Sequence, residues 1–216
     1  MAPDYQISAG VDVFAPHGAL VFFGDSLLFH SPVDVDYQVI TKFFCRPNRF
    51  ERLSGIVCGK NAGMAAYAEL QKQFPHPGSL LVVCGKGNNG GDGFVIARAA
   101  AKDGWNVTAL LAEGEPKTTD AITNFERLHS LSVNICADCT VLETQHFDVV
   151  VDALYGTGFH GELRPSGLAA CGLLRHLHKS GAFVLAVDLP SGINTDTGEV
   201  AEGAAHADLT VTFDSY

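Results

Sequence analysis

From residue 79 onward, short and nearly unbroken apolar runs alternate with stretches whose apolar positions recur at helical spacing. LLVVC at 80–84 reads as a strand buried on both faces, because a half-exposed strand would alternate with polar residues. It runs into GKGNNGGDG at 85–93. The Ala-rich stretch 94–104 that follows has amphipathic spacing and stops at Gly104, as a helix with its C-terminal cap does. Further strands are predicted at 106–113, 132–136, 146–152, 183–188 and 207–213. Helices are predicted at 118–131, with Ile122, Phe125 and Leu128 at helical spacing, and at 168–179. Another helix is expected to start near Asn61 and to set Met64, Ala65, Ala68 and Leu70 on the sheet. Strands separated by helices imply parallel pairing with helices on both faces. The fold class is therefore α/β, a Rossmann-like three-layer αβα sandwich with a mostly parallel sheet.

The first 60 residues are less regular. HGALVFFGDSLLFHSPVDV at 17–35 predicts one or two strands or an irregular cap, and 46–55 a turn. The organisation expected is an N-terminal segment, 1–55, and one domain, 56–216, that lacks its C-terminal end. The chain stops at Tyr216 directly after a strand, so a sheet edge covered by another chain, or a fragment, is expected there.

Composition narrows the partners. Fourteen basic against 24 acidic side chains give a net charge of −10, which repels nucleic acid and anionic lipid, so any anionic ligand must be held locally. No apolar stretch reaches the roughly 18 to 20 residues that span a bilayer. The nearest, 11–30, is broken by Asp12, His17 and Asp25 and has no basic leader. A soluble, cytoplasmic protein with neither nucleic acid nor membrane as partner is expected. The six cysteines are scattered through a chain able to fold on its core, so reduced thiols are expected. Cys136 and Cys139 form a CxxC, but its first cysteine ends the strand VNIC instead of opening a helix, so the pair read as small packing residues.

Gly85, Gly87 and Gly90 satisfy GxGxxG between a strand and a helix, the context in which free helix N–H groups meet a phosphate. The segment reads as a loop, with Asn88 and Asn89 adding amides and Asp92 adding a carboxylate at the helix's first turn. Asp152 ends VVVD before a loop containing Gly156, Gly158 and Gly161. Asp188 ends VLAVD before Pro190, Ser191 and Gly192. Ligands of an open parallel sheet bind beyond the carboxyl ends of its strands, so three strand ends point to one crevice. Glu113 stands where the ribose-binding acid of an NAD site would, although its 28 residues from Gly85 exceed the usual separation of about 20.

GKGNNGGDG, DALYGTGFHGE, VDLPSGINTDTG and ADLTVTF, in this order, resemble the NAD(P)H-hydrate epimerases, the YjeF N-terminal domain family, over residues 61–213. KNAGM at 60–64 is the sole likeness to that family's LMENAG segment, and the first 55 residues do not match it. The resemblance implies an isomerase that interconverts R and S NADHX and NADPHX, coupled to a separate ADP- or ATP-dependent dehydratase, and a homodimer. It implies that Asn88, Asn89, Gly90, Gly91 and Asp92 lie along the hydrated dinucleotide. Gly156, Thr157, Gly158, Phe159, His160, Gly161 and Glu162 form a second substrate loop, and Asp188 makes the acidic contact. A potassium ion is implied on Asn89, Asp152 and Ser191. Asp188 is the expected catalytic acid/base. Two other readings compete: a non-catalytic nucleotide-binding or protein-interaction module of the same fold, and a conventional NAD-dependent oxidoreductase.

Overall fold

The structure, a computed structural model, describes residues 62–212 in full, together with the backbone of 55–61 and of three short N-terminal strands. Its elements are β1 (Leu20–Phe23), β2 (Ser26–His30), β3 (Asp36–Thr41), α1 (Gly55–Gln73), β4 (Ser79–Cys84), α2 (Asn88–Lys102), β5 (Asn106–Leu111), α3 (Thr119–Glu126), β6 (Val133–Cys136), a 3-10 turn (Thr140–Leu142), β7 (Val149–Ala153), α4 (Pro165–Lys179), β8 (Phe183–Val187) and β9 (Leu209–Thr212). The strands form one sheet in the order β1-β2-β3-β9-β8-β7-β4-β5-β6. From β9 to β6 all six strands are parallel, and β3 joins β9 in parallel while β1, β2 and β3 pair antiparallel.

The apolar runs are strands buried on both sides, and each side feeds a different core. Leu80, Val82 and Cys84 of β4 enter the cluster built with Ala66, Tyr67 and Leu70 of α1 and Phe94, Ile96 and Ala97 of α2. Leu81 and Val83 enter the other, with Cys171, Leu174 and Leu177 of α4. Three layers result, as expected from the strand–helix alternation.

Four expectations change. α1 starts at Gly55, and its buried face centres on Gly63, Ala66, Tyr67 and Leu70, a spacing of three, four and seven that leaves Met64 46% exposed and Ala68 outside. That face is set by Gly63, where an added Cβ would stand 2.7 Å from the Asp92 carbonyl and 2.8 Å from Val95 Cβ. Ala65 and Leu70 are buried as expected. Second, α2 begins at Asn88, inside the segment read as a loop. Gly90, Gly91 and Gly93 are buried in the helix, where they let it lie close on the Gly85 turn, on α3 and on strands β4 and β7 respectively, so the segment needs only residues 85–87 for its turn. Third, β9 is not an edge, because β3 pairs with it from Gln38↔Leu209 to Thr41↔Thr212. Finally, several ends move by a few residues: Asp148 precedes β7 because its carboxylate accepts from the Ser79 backbone N–H and hydroxyl, both at 2.7 Å. The turn expected at 46–55 and the chain end beyond Thr212 lie outside the described residues, Gly55 excepted.

Candidate functional site

The chain runs β4, β5, β6 toward one edge and then returns to place β7 on the other side of β4. This reversal opens a crevice beyond the carboxyl ends of β4 and β7, where doubly wound sheets take ligands. One wall is the start of α2. Gly87 caps it, and the first closed helical bond is Gly91 N–H to Gly87 O at 3.1 Å. The N–H groups of Asn88, Asn89 and Gly90 are left outside the ladder. Gly90 must lack a side chain because a Cβ would collide with the Gly85 carbonyl.

Asn89 donates Nδ2 to the Tyr155 carbonyl at 2.8 Å, which joins this wall to the loop after β7. Tyr155 N–H in turn donates to Ser191 Oγ at 3.0 Å, and Ser191 Oγ donates to Asp152 Oδ1 at 2.6 Å. Asp152 Oδ2 accepts the Ser191 N–H at 2.8 Å, and Oδ1 also accepts from Leu154 N–H at 3.2 Å. Asp152 is wholly buried, the penultimate residue of β7 and not its end. Burial pushes its pKa up to about 6, against the pull of the Ser191 and Leu154 donors. Asn89, Asp152 and Ser191, read from separate segments, thus stand in one hydrogen-bonded chain through Tyr155.

Asp188 follows β8 with φ +71°, in the left-handed region where a side chain is uncommon. Its N–H donates to Val211 O at 2.8 Å, so β9 holds the turn. Its Oδ2 accepts the Thr157 N–H at 2.8 Å and Oδ1 lies 3.5 Å from Thr212 Oγ1. Gly156 fits between walls: an added Cβ would be 2.5 Å from Asp188 Oδ2 and 3.5 Å from Asn89 Cγ. Asp188, Gly156, Thr157 and Asn89 are therefore brought together. Backbone strain held at such a point is commonly tied to function.

Asp92 is one turn further into α2 than its expected first-turn position. It accepts from the Gly63 N–H, while its Oδ1 is buried without a partner among the described residues. Desolvation, reinforced by the charges of Asp188 and Asp120 and opposed by Gly63, raises its pKa to about 8. The shift favours the carboxylic acid over the carboxylate expected from the sequence.

The second loop is less uniform than its motif. Phe159 is buried against the Tyr155 ring, with centroids 5.2 Å apart, whereas Gly158, His160, Gly161 and Glu162 are exposed. His160 Nδ1 stands 3.8 Å from Asp196 Oδ2. Asn88 is exposed at the mouth, and Gly91 is buried against α3, with Ala121 Cα 3.2 Å from an added Cβ. Glu113 accepts the Tyr155 hydroxyl at 2.7 Å and faces Lys86 Nζ at 3.7 Å, so its oxygens serve these partners and not a ribose. The hub, Tyr155, was missed. Its only sequence signal is its place between Asp152 and Gly156, since its hydroxyl's partner lies 42 residues away.

Among the described residues no three His, Cys, Asp or Glu side chains cluster as a metal site. The acceptors that gather here are an amide, a hydroxyl, a carboxylate and a backbone carbonyl, all oxygens and suited to a hard cation. The four described cysteines are free thiols, and among the described residues no helix is long and apolar enough to cross a membrane.

Known proteins are similar to this chain. The bifunctional NAD(P)H-hydrate repair enzyme Nnr of Coxiella burnetii is 39% identical over 160 residues, 70% of this chain and 30% of its own length. Its namesake in Pyrobaculum aerophilum is 40% identical over 166 residues, 73% of this chain and 32% of its own. The NAD(P)H-hydrate epimerase of Rhodopirellula baltica is 37% identical over 166 residues, 75% and 66% of the two chains. The chain thus spans about 30% of the length of the bifunctional relatives it matches. The crystal structure of yeast ynu0 superposes with a TM-score of 0.61 at 23% identity over 71% of this chain and 68% of that one, a likeness of fold. The family model for the N-terminus of YjeF-related proteins matches residues 58–216, a span that takes in every strand from β4 to β9 and all the loops of the crevice, and the chain belongs to that family.

Proposed function

We propose that this protein is an isomerase that interconverts the R and S forms of NADHX and NADPHX. One observation carries the reading: the Asp188 carboxyl group, held by the Thr157 N–H, meets Gly156 and Asn89 at the switch-point crevice. The names of the relatives at 37–40% identity support the substrate class. Oxidoreduction is less well supported, because Glu113 is taken up by Tyr155 and Lys86.

The hydrated ring bears its hydroxyl on C6, next to the ring nitrogen. When that hydroxyl receives a proton, the C6–O bond breaks with loss of water while the nitrogen lone pair forms a planar iminium. Water adding to either face then gives up a proton and restores the hydrate. Asp188 supplies and recovers that proton as general acid and base. The dinucleotide's phosphates are held by the N–H groups opening α2, and the loop 156–162 covers the other side.

A potassium ion on Asn89, Asp152 and Ser191 belongs to the same reading, supported by their oxygen donors. When bound, it would offset negative charge beside the ring. Coupling to a hydrate dehydratase, a homodimer and a cytoplasmic location complete the proposal. The test is to incubate the protein with mixed R and S NADHX and an S-specific dehydratase. Consumption of the R form faster than its spontaneous epimerisation is expected. No acceleration by folded protein at high concentration would remove the enzyme reading and leave a binding module.

A further inference from the structure

Tyr155 ties three strand-end segments together with three different groups. Its N–H reaches Ser191 Oγ at 3.0 Å, its carbonyl receives Asn89 Nδ2 at 2.8 Å, and its hydroxyl donates to Glu113 Oε1 at 2.7 Å. The ring lies against Phe159, and its hydroxyl comes so close to Gly167 of α4 that no side chain fits there. Glu113, with 6% of its side chain exposed, faces Lys86 of the glycine turn with its other oxygen at 3.7 Å. Burial and Glu113 raise the Tyr155 phenol's pKa, so the hydroxyl stays a donor.

A backbone carbonyl only accepts, so Asn89 must turn its NH₂ toward Tyr155 and its oxygen the opposite way. The orientation of that amide depends on where the Tyr155 carbonyl stands. That position depends in turn on the hydroxyl anchored 42 residues away in sequence. Glu113 is nearly enclosed, so its hydrogen bond and ion pair act in a low-dielectric setting where unlike an exposed pair they fix geometry.

We propose that Glu113 is a positioning residue for the reaction: holding the Tyr155 hydroxyl with one oxygen and Lys86 with the other, it locks the Tyr155 carbonyl beneath Asn89 and fixes the amide oxygen of Asn89 within the crevice. This rests on the epimerase reading for its catalytic consequence, but not for its geometry. Small misplacements of positioning groups reduce turnover more than affinity. Tyr155→Phe and Glu113→Ala are therefore expected to lower kcat about tenfold with KM changed less than about twofold. Glu113→Gln, which keeps an oxygen for the hydroxyl, is expected to recover most of the rate.

The accompanying readout is the Asn89 side-chain NH₂ cross-peak in a ¹H–¹⁵N spectrum, assigned by its loss in Asn89→Asp. It is expected to shift in Tyr155→Phe and Glu113→Ala and to stay near its wild-type position in Glu113→Gln. An unmoved cross-peak, or wild-type kcat in folded Tyr155→Phe, would overturn the proposal. Should Glu113→Ala fail to fold, Tyr155→Phe, which removes a single oxygen, decides it. If the wild-type protein does not accelerate epimerisation, the functional reading fails separately, and with it the catalytic role of Glu113. The cross-peak then still decides whether the clamp sets the amide.

Discussion

Asp188 is held in a backbone conformation that its side chain disfavours, with its carboxyl group tied to Thr157 and its N–H to β9. Asp188→Asn keeps the shape and the Thr157 acceptor but removes the proton exchange, so a fall in kcat of about 100-fold or more is expected with the melting temperature nearly unchanged. Full activity in Asp188→Asn, together with its loss in Asp152→Asn, would reverse the roles given to the two acids. Asp92 carries a different consequence. Its pKa is about 8 in the fold against 3.8 for a free side chain, so as pH rises the unfolded chain releases this proton first. Its ionisation therefore adds no cost below about pH 4, and that penalty grows until about pH 8. Asp92→Asn removes that penalty. Urea denaturation at pH 5 and pH 8 should find the variant gaining on wild type at the higher pH, and a difference that stays flat would contradict the burial argument. Asp152 and Asp188 were legible because each ends an apolar run. The proton on Asp92 was not, since it depends on α1 closing over it through Gly63.

At the scale of elements, the sheet was legible wherever a strand is apolar on both faces, and blurred where side-chain bonds set the ends, as Asp148 does for β7. The beginning of α2 was misread for a physical reason. Five glycines among the nine residues 85–93 look like a loop, yet Gly90, Gly91 and Gly93 lie in a helix packed closely on its neighbours. The two uses of helical glycine can be told apart. In Gly90→Ala the new Cβ meets the Gly85 carbonyl, so the backbone must shift, and a loss of about 1–3 kcal/mol is expected despite alanine's better helix propensity. In Gly172→Ala, within α4, a Cβ meets nothing within 4 Å, and a gain of about 0.5–1 kcal/mol is expected. For a chain of this size each kcal/mol corresponds to about 2–4 °C in melting temperature. Calorimetry on both variants checks the pair; equal shifts would mean that close approach at Gly90 plays no part.

For the molecule as a whole, a net charge of −10 must coexist, on the proposed reading, with an anionic dinucleotide bound near the acids Asp152 and Asp188, the second of which acts electrostatically on Asp92. Protonation of Asp92 relieves part of this, and a cation held by Asn89, Asp152 and Ser191 would relieve more. The two devices respond oppositely to pH. A cation competes with the proton on Asp152, whose pKa is raised by burial to about 6, so potassium should stabilise the fold above that pH and lose its effect below it. Potassium at ten times its dissociation constant contributes about 1.4 kcal/mol, or about 3–6 °C. Comparing potassium chloride with choline chloride at equal ionic strength, each at pH 7.5 and pH 5.5, cancels the contribution of Asp92, which is the same in both salts. The expected result is a higher melting temperature in potassium at pH 7.5, about half that difference at pH 5.5, and none at either pH in Asp152→Asn. Equal melting temperatures in the two salts at pH 7.5 would remove the cation from the site and leave Asp152 as the buried tie between β7 and Ser191.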